Sequence, residues 1–415
     1  MAVFKGIFKG RQGLMKFKRI ERLPQYVFSL VGQLVEETRE QGHDVIDFSL
    51  GNPDGGTPAF IVDTLIQTAQ REETHRYSKS KGIAHLLQAL QDWAMRRYNI
   101  SLQPENEIVA TIGAKEGIAH LVLAITSSGD KVLVPTPCYP IHTHAFDIAE
   151  CDVHHFEVSP EQSKTFENIK TQVEKHEIKV LLLNFPSNPT GACVNLDFFK
   201  DIIALAKKHN IWVIHDLAYA DIYFDENQAP SILQVKGAKD IAVEVFSLSK
   251  SYNMPGWRVG FVYGNHELIG ALTKLKSYYD YGMFTPIQVA AAKALNEGDA
   301  IAKQICQKYK ARRDILHKGL NDIGWLVNMP SSTMFLWAPI PKAYLDLDSF
   351  SFTQMLVKEA HVAVSPGIGF GQAGDQYVRF ALIEDEPHMR EAVQRIADTL
   401  DKLPKSVEEI QLGTG

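Results

Sequence analysis

Cysteine is scarce in this chain: Cys138, Cys151, Cys193 and Cys306 are the four among 415 residues, with no C-x-x-C pair and no regular spacing. That excludes a disulfide framework and a structural zinc site, and it suits a reducing cytoplasm. No apolar run approaches membrane-spanning length, so an integral membrane protein of the helical kind is excluded. Positive charge is not in excess either: the formal net charge is −6, with none of the overall basic surface that nucleic acid requires. Internal repeats and low-complexity segments are absent. The one local charge bias is at the start, where Lys5, Lys9, Arg11, Lys16, Lys18, Arg19 and Arg22 precede or flank the first acid, Glu21. No continuous apolar stretch follows, as a secretory signal would need. Residues 1–20 therefore read as a basic extension, either a disordered start or an upstream start codon with Met15 as the true beginning.

What is present reads as globular: 45% of residues are hydrophobic and 22% charged, on a chain long enough for two domains. Residues 27–39 and 61–70 have helical spacing of apolar positions, and so do residues 83–98. Residues 45–50 alternate like a short strand and end in Gly51-Asn52-Pro53-Asp54-Gly55-Gly56. So many turn residues mark either a loop whose backbone approaches a ligand or an ordinary glycine-rich turn. From residue 108 onward the pattern alternates strand and helix. Strand-like runs at 108–112, 131–134, 179–185, 211–214, 242–246 and 258–263 each stop at a polar or turn-rich tip. This order implies an α/β fold, a mostly parallel sheet with helices on both faces, in which ligands gather beyond the carboxyl ends of the strands. After residue 285 come longer helices, near 286–296 and 302–323, then short strands at 334–337, 362–364 and 377–382. That texture predicts a smaller α+β domain. The expected division is 21–60 as an arm and part of the small domain, 61–300 as the large domain and 301–415 as the small one.

The tips carry the chemistry. Lys250 ends a buried strand behind Ser247-Leu248-Ser249, and lysine is rarely buried unless paired or reactive. One reading is a strand-end lysine that reaches water. The other is an amine that forms a Schiff base with an aldehyde cofactor, with the serines and Arg258 binding that cofactor's phosphate. Gly113-Ala114-Lys115 turns from a strand into a helix and leaves backbone N–H groups free for an anion. No G-K-[ST] follows, which disfavours a nucleoside triphosphate; a phosphate monoester on a smaller cofactor would suit the turn. Tyr139 sits between prolines, either stacking on a flat ring or simply packing. Asn188, Asp216 and Lys250 all lie just past strand ends and can converge. With pyridoxal phosphate as the cofactor, Asp216 is the buried carboxylate that keeps the pyridine nitrogen protonated. Asn188 and Tyr219 serve the phenolic oxygen, Tyr139 covers the ring, and Ala114, Lys115, Ser247, Ser249 and Arg258 hold the phosphate. Lys250 is then the general base, and Arg379 clamps the substrate α-carboxylate.

Three patterns are set aside. Gly369-Phe370-Gly371-Gln372-Ala373-Gly374 matches the dinucleotide fingerprint letter for letter, yet residues 375–380 read as a strand where a helix is required. Ser247-x-x-Lys250 lacks the companion motifs of acyl-transfer enzymes. His142-x-His144 and His154-His155 have no zinc-helix spacing and read as surface or partly buried histidines, so no metal site is expected.

Asn188-Pro189-Thr190-Gly191, Asp216-x-x-Tyr219, and Ser247-x-Ser249-Lys250 with Gly256-x-Arg258-x-Gly260 and the late Arg379 resemble the class I/II pyridoxal-phosphate aminotransferases of fold type I. The resemblance runs from about residue 20 to the end. More narrowly, residues 215–221, 249–254 and 364–371 are similar to bacterial glutamate–pyruvate (alanine) transaminases and to LL-diaminopimelate aminotransferases. It implies a seven-stranded sheet, an alanine- or glutamate-linked transamination, and a homodimer with shared active sites. By the same resemblance Tyr77 reaches the neighbouring subunit's cofactor phosphate and Gly51 lies against the substrate carboxylate. A second arginine for a distal carboxylate is not assigned, and Lys115 or Tyr26 is the candidate for that contact. The alternatives kept open are diaminopimelate, methionine or aromatic substrates, a carbon–sulfur lyase on the same fold, and a ligand-binding domain of a DNA-binding regulator.

Overall fold

A computed structural model describes residues 17–224 and 228–400. Most of the basic extension expected over 1–20, Met15 included, lies outside the described residues. The strands in chain order are β1 (Ile46–Asp47), β2 (Ile108–Thr111), β3 (Lys131–Thr136), β4 (Asp152–Glu157), β5 (Val180–Asn184), β6 (Trp212–Asp216), β7 (Ala242–Ser247), β8 (Gly260–Gly264), β9 (Phe335–Pro339), β10 (Val362–Ala363), β11 (Ser365–Pro366) and β12 (Tyr377–Ala381).

β2 to β8 form one seven-stranded sheet in the order β2-β8-β7-β6-β5-β3-β4. Only β8 runs against its neighbours, pairing antiparallel with both β2 and β7. Strands buried on both faces should be nearly all apolar, with successive side chains feeding opposite cores. Along β5 that is what happens. Leu181 and Leu183 enter one core with the helices Ala84–Tyr98, Leu196–His209 and Thr285–Glu297, while Val180 and Leu182 enter the other with Ala114–Ile125 and His266–Tyr279. The helix-sheet-helix sandwich fixes the sheet, and with it the tips. Asn184 at the end of β5 is in register with Asp216 at the end of β6.

The antiparallel trio β11-β12-β9 and the parallel pair β1-β10 make a smaller α+β unit. A third core joins them to the helices Asp299–Asp322 and Glu386–Thr399 around Phe48, Trp325, Phe352 and Phe380. β1 pairs with β10, so the segment around residue 46 is built into the same unit as the segment around residue 362. No helix among the described residues is long and apolar enough to cross a membrane.

Three local expectations change. The strand expected over 45–50 is reduced to Ile46–Asp47, because from Ser49 onward the backbone is drawn toward the cavity described below. The strand expected from 258 begins at Gly260, since Arg258 adopts a left-handed conformation (φ 56°) that turns it out of the ladder. The strand β4, at the sheet edge, was not anticipated at all, because Asp152, His154 and Glu157 give it a polar, half-exposed pattern. The stretch resembling a dinucleotide fingerprint forms two short 3-10 turns, Gly367–Phe370 and Gln372–Gly374, before β12.

Candidate active site

Beyond the carboxyl ends of β5, β6 and β7 lies a cavity of about 460 Å³, an ordinary size for a small-ligand site. Lys250, Asp216, Tyr219, Ala114, Lys115, Tyr139, Asn188, Ser247, Ser249, Arg258, Arg379, Gly51 and Tyr26 all line it. Tyr77 alone of the anticipated residues does not; it is 87% exposed and packs on Tyr281, ring centres 4.7 Å apart.

Lys250 sits on the single helical turn Leu248–Ser251 that β7 runs into, capped by the Ser247 hydroxyl, which accepts from Ser249 N–H. Its amine donates to Gly51 O at 2.7 Å across the cavity. Burial, aided by the positive charges of Arg379 and Arg258, drives its pKa from 10.5 down to about 7. Asp216 is held by two contacts: Oδ1 accepts from Ala218 N–H at 3.0 Å, and Oδ2 lies 2.8 Å from His142 Nε2. Burial alone would lower the His142 pKa, but the bond to Asp216 overrides it and raises the value to about 9. His142 is thus an imidazolium clamped on the carboxylate, fully buried on the helix Ile141–Ile148. This corrects the expectation of a surface or partly buried histidine. His144 and His154 are partly exposed and His155 is exposed.

Asn184 is a second unanticipated residue. Its Oδ1 accepts from Asn188 N–H at 2.9 Å while its Nδ2 donates to Asp216 O at 3.0 Å and Pro186 O at 3.2 Å. One amide thereby pins the Asn188 loop to the Asp216 tip. A polar residue interrupting the apolar run of β5 was the available signal.

Arg379, on β12, reaches in from the smaller unit. Its guanidinium donates to Asn188 Oδ1 at 2.8 Å and to Ser365 Oγ at 3.1 Å, and lies between the Phe335 and Phe370 rings at 4.0 and 4.6 Å. No carboxylate among the described residues pairs with it, and its buried Nε has no partner. Burial lowers its pKa to about 10, yet it stays charged at neutral pH. A buried cation without a counter-ion is costly, and the cost is recovered when an anion binds.

At the opposite wall, Gly113 (φ 80°) opens the helix Ala114–Ile125, and a Cβ there would collide with the Arg258 guanidinium. Arg258 donates to Pro255 O at 2.8 Å and to Ile112 O at 3.4 Å. Its left-handed turn is what brings it back to the helix start. A Cβ on Gly260 would lie 2.6 Å from Ala114 N, so the close approach of β8 to this turn also depends on glycine. At the mouth, Lys115 Nζ lies 5.8 Å from both the Tyr26 and Tyr139 ring centres.

The sequence profile of the family Aminotransferase class I and II matches residues 43–396. The chain belongs to that family.

It is 50% identical to the glutamate-pyruvate aminotransferase AlaC of Escherichia coli (strain K12) over 383 residues, 92% of this chain and 93% of that one. It is 37% identical to the LL-diaminopimelate aminotransferase of Moorella thermoacetica over 392 residues, 94% of this chain and 100% of the relative. Among solved structures, substrate-bound BacF from Bacillus subtilis superposes with a TM-score of 0.88 at 32% identity, covering 95% of this chain and 99% of that chain. The class I and II aminotransferases depend on pyridoxal 5'-phosphate, and this aminotransferase has a cavity that suits it. Anion donors and a cation stand at one end, a carboxylate in the middle, an amine whose pKa is lowered to about 7, and a guanidinium without a counter-ion at the far end. Those are the needs of a phosphate, a protonated ring nitrogen, an aldehyde and a substrate carboxylate.

Proposed function

We propose that this aminotransferase exchanges the amino group between alanine and 2-oxoglutarate, that is, between glutamate and pyruvate. The observation that carries the reading is the pair of cationic groups in one cavity: Arg379, buried without a counter-ion, and Lys115 at the mouth. The 50% identical relative that bears the name of this reaction supports it.

Pyridoxal phosphate, when bound, supplies an aldehyde that carries the amino group and a ring that accepts electrons from the substrate α-carbon. Lys250 would hold that aldehyde at rest and, when free, would take and return the proton at the α-carbon. With a pKa of about 7 it is poised to do both. Asp216, oriented by His142, would serve the ring nitrogen, and Tyr219 and Asn188 the phenolic oxygen. Tyr139 would cover the ring. The backbone N–H groups of Ala114 and Lys115, with Ser247, Ser249 and Arg258, would hold the phosphate. Arg379 takes the α-carboxylate with Asn188 and Gly51 beside it, and Lys115 with Tyr26 takes the distal one.

The same proposal includes a homodimer. Tyr77, Tyr278, Tyr279, Tyr281 and Phe284 are all exposed, and Tyr77 packs on Tyr281; exposed aromatic side chains of this kind favour an interaction surface. Tyr77 would reach from it toward the partner's phosphate. The free cysteines suit a reducing cytoplasm.

The test is a panel of amino donors against 2-oxo acids, read by the cofactor's absorbance. Alanine and glutamate should each discharge the aldehyde form, and pyruvate and 2-oxoglutarate should restore it; no response to either pair refutes the reading. The several relatives named LL-diaminopimelate aminotransferase, 37–38% identical, favour a second reading, which a faster response to LL-diaminopimelate would establish. Pyruvate and ammonia released without an oxo acid would indicate a lyase.

A further inference from the structure

Lys276 is fully buried on the helix His266–Tyr279, outside the cavity lining, and the chemistry above makes no use of it. Its ammonium donates to Glu116 Oε1 and to Asp280 Oδ2, both at 2.9 Å. Glu116 lies in the first turn of the helix that opens at Gly113, and its other oxygen, Oε2, accepts from Ile112 N–H at 2.7 Å. His120, one turn further along, contacts the same carboxylate. Asp280 has its own second contact: Oδ1 accepts from Gly282 N–H at 2.7 Å, and its backbone carbonyl accepts from Ser80 Oγ.

We propose that Lys276, Glu116 and Asp280 are positioning residues for the anion cradle of the active site. Ile112 is the point where their effect enters it. Its N–H, in the peptide shared with Thr111, is held by Glu116, and its carbonyl, in the peptide shared with Gly113, accepts from Arg258 Nη2. A Cβ on Gly113, the next residue, would collide with that guanidinium. Holding Ile112 on both sides therefore sets the direction of Arg258 and the start of the helix, whose first N–H groups are the donors the cradle offers. Glu116 can hold that orientation only if its own carboxylate is held. A buried carboxylate with no cation would relax toward water or take up a proton. The Lys276 ammonium prevents both, and Asp280 balances the ammonium while anchoring it to the 280–282 turn. The three carboxylate and imidazole groups around Lys276 come close enough to suggest a cation site, but the ammonium already occupies its centre.

The inference rests on the reading that the Gly113 turn and Arg258 hold the cofactor's phosphate. A comparison that isolates the phosphate tests it. Apo-protein is titrated with pyridoxal phosphate and, separately, with pyridoxal, which has the same aldehyde and ring but no phosphate, with binding followed by absorbance. The variants are Lys276→Met, the charge-neutral double variant Lys276→Met with Glu116→Gln, and Arg258→Ala. The double variant removes the ammonium together with one of its two carboxylates, so it leaves less uncompensated charge than Lys276→Met and keeps the comparison open where the single variant does not fold. The expected result is an affinity for pyridoxal phosphate at least tenfold weaker, with pyridoxal affinity within twofold of the parent. A generally damaged fold would weaken both ligands equally, and that outcome, or unchanged phosphate preference, overturns the proposal. Arg258→Ala separates the two layers of the argument. If it loses the phosphate preference while the Lys276 variants keep it, the brace is wrong and the cradle stands. If Arg258→Ala also keeps it, the cradle reading itself fails.

Discussion

An amine that must be both a nucleophile and a proton carrier needs a pKa near the working pH, and Lys250 is where this requirement can be measured. An ordinary lysine, with a pKa near 10.5, is unprotonated in only about one molecule in three thousand at pH 7. Lys250, lowered to about 7 by burial first and by Arg379 and Arg258 second, is unprotonated in about half. The gap between the two values corresponds to about 5 kcal/mol against holding the proton in the cavity. Competitive acylation of apo-enzyme across pH, with the Lys250 peptide followed by mass spectrometry, should show its reactivity rising through a midpoint near 7 and levelling by pH 8 to 9. Exposed lysines should continue to gain reactivity to pH 10. Arg379→Met removes a positive neighbour and leaves the burial, so the midpoint should rise while staying below 10.5.

The same shift has a consequence for stability. Between the two pKa values the unfolded chain binds a proton at this site and the folded chain does not, so apo-enzyme should gain stability as pH rises from about 7 toward 10.5. Lys250→Met removes that dependence. Its advantage over the parent in urea unfolding should be about 4 kcal/mol at pH 7 and should fade by about pH 10. A labelling midpoint near 10, or a stability gap equal at both pH values, would refute the reasoning.

His142 is shifted the other way, so its pairing with Asp216 should stabilise the fold fully below its unfolded value near 6.5 and lose that contribution as pH rises through about 9. The stability difference between the parent and His142→Asn, by denaturant unfolding, should therefore be as much as about 3 kcal/mol at pH 6 and small at pH 9.5. Arg379→Met should cost about 100- to 1,000-fold in kcat/KM for amino acids, from two lost charged hydrogen bonds, while the melting temperature of the apo-protein stays level or rises because an uncompensated buried charge is gone. Gly113→Ala combines a collision with Arg258 and a φ of 80°, so it should weaken pyridoxal phosphate binding at least tenfold and lower stability by about 1–3 kcal/mol, measured by cofactor titration and thermal melting.

Local sequence was enough to show the alternation of strand and helix from residue 108 onward, and to put Asn188, Asp216 and Lys250 at strand tips. The reason is that apolar periodicity records which faces are buried, and ligands of a parallel sheet collect at one edge of it. The NPTG, DxxY and SxSK stretches could be read because each contributes its chemistry from a few adjacent residues. Partners that meet only after the sheet forms left no such trace. His142 and Asp216 are 74 positions apart, and nothing beside His142 distinguishes it from His144 two residues on, which faces away to Asp147. Arg379 was identifiable as an arginine of interest, but its aromatic walls and its lack of a counter-ion depend on β12 crossing beside β9 and β11.

Glu244 passed as part of an apolar run, yet it is buried on β7 and accepts from Ser231, Tyr263 and the Ile232 N–H, with His215 against it. Its burial became intelligible only with four donors around it, since a carboxylate enters a core only when each lone pair is met. Lys276 and Glu116 belong to the same class: two helices 160 residues apart in the chain make one ion pair. The sequence by itself determined which residues could do chemistry and on which edge of the sheet they would stand. Their charge states and orientations were decided by the tertiary structure alone, because burial and the neighbouring charges exist only once distant segments are packed together.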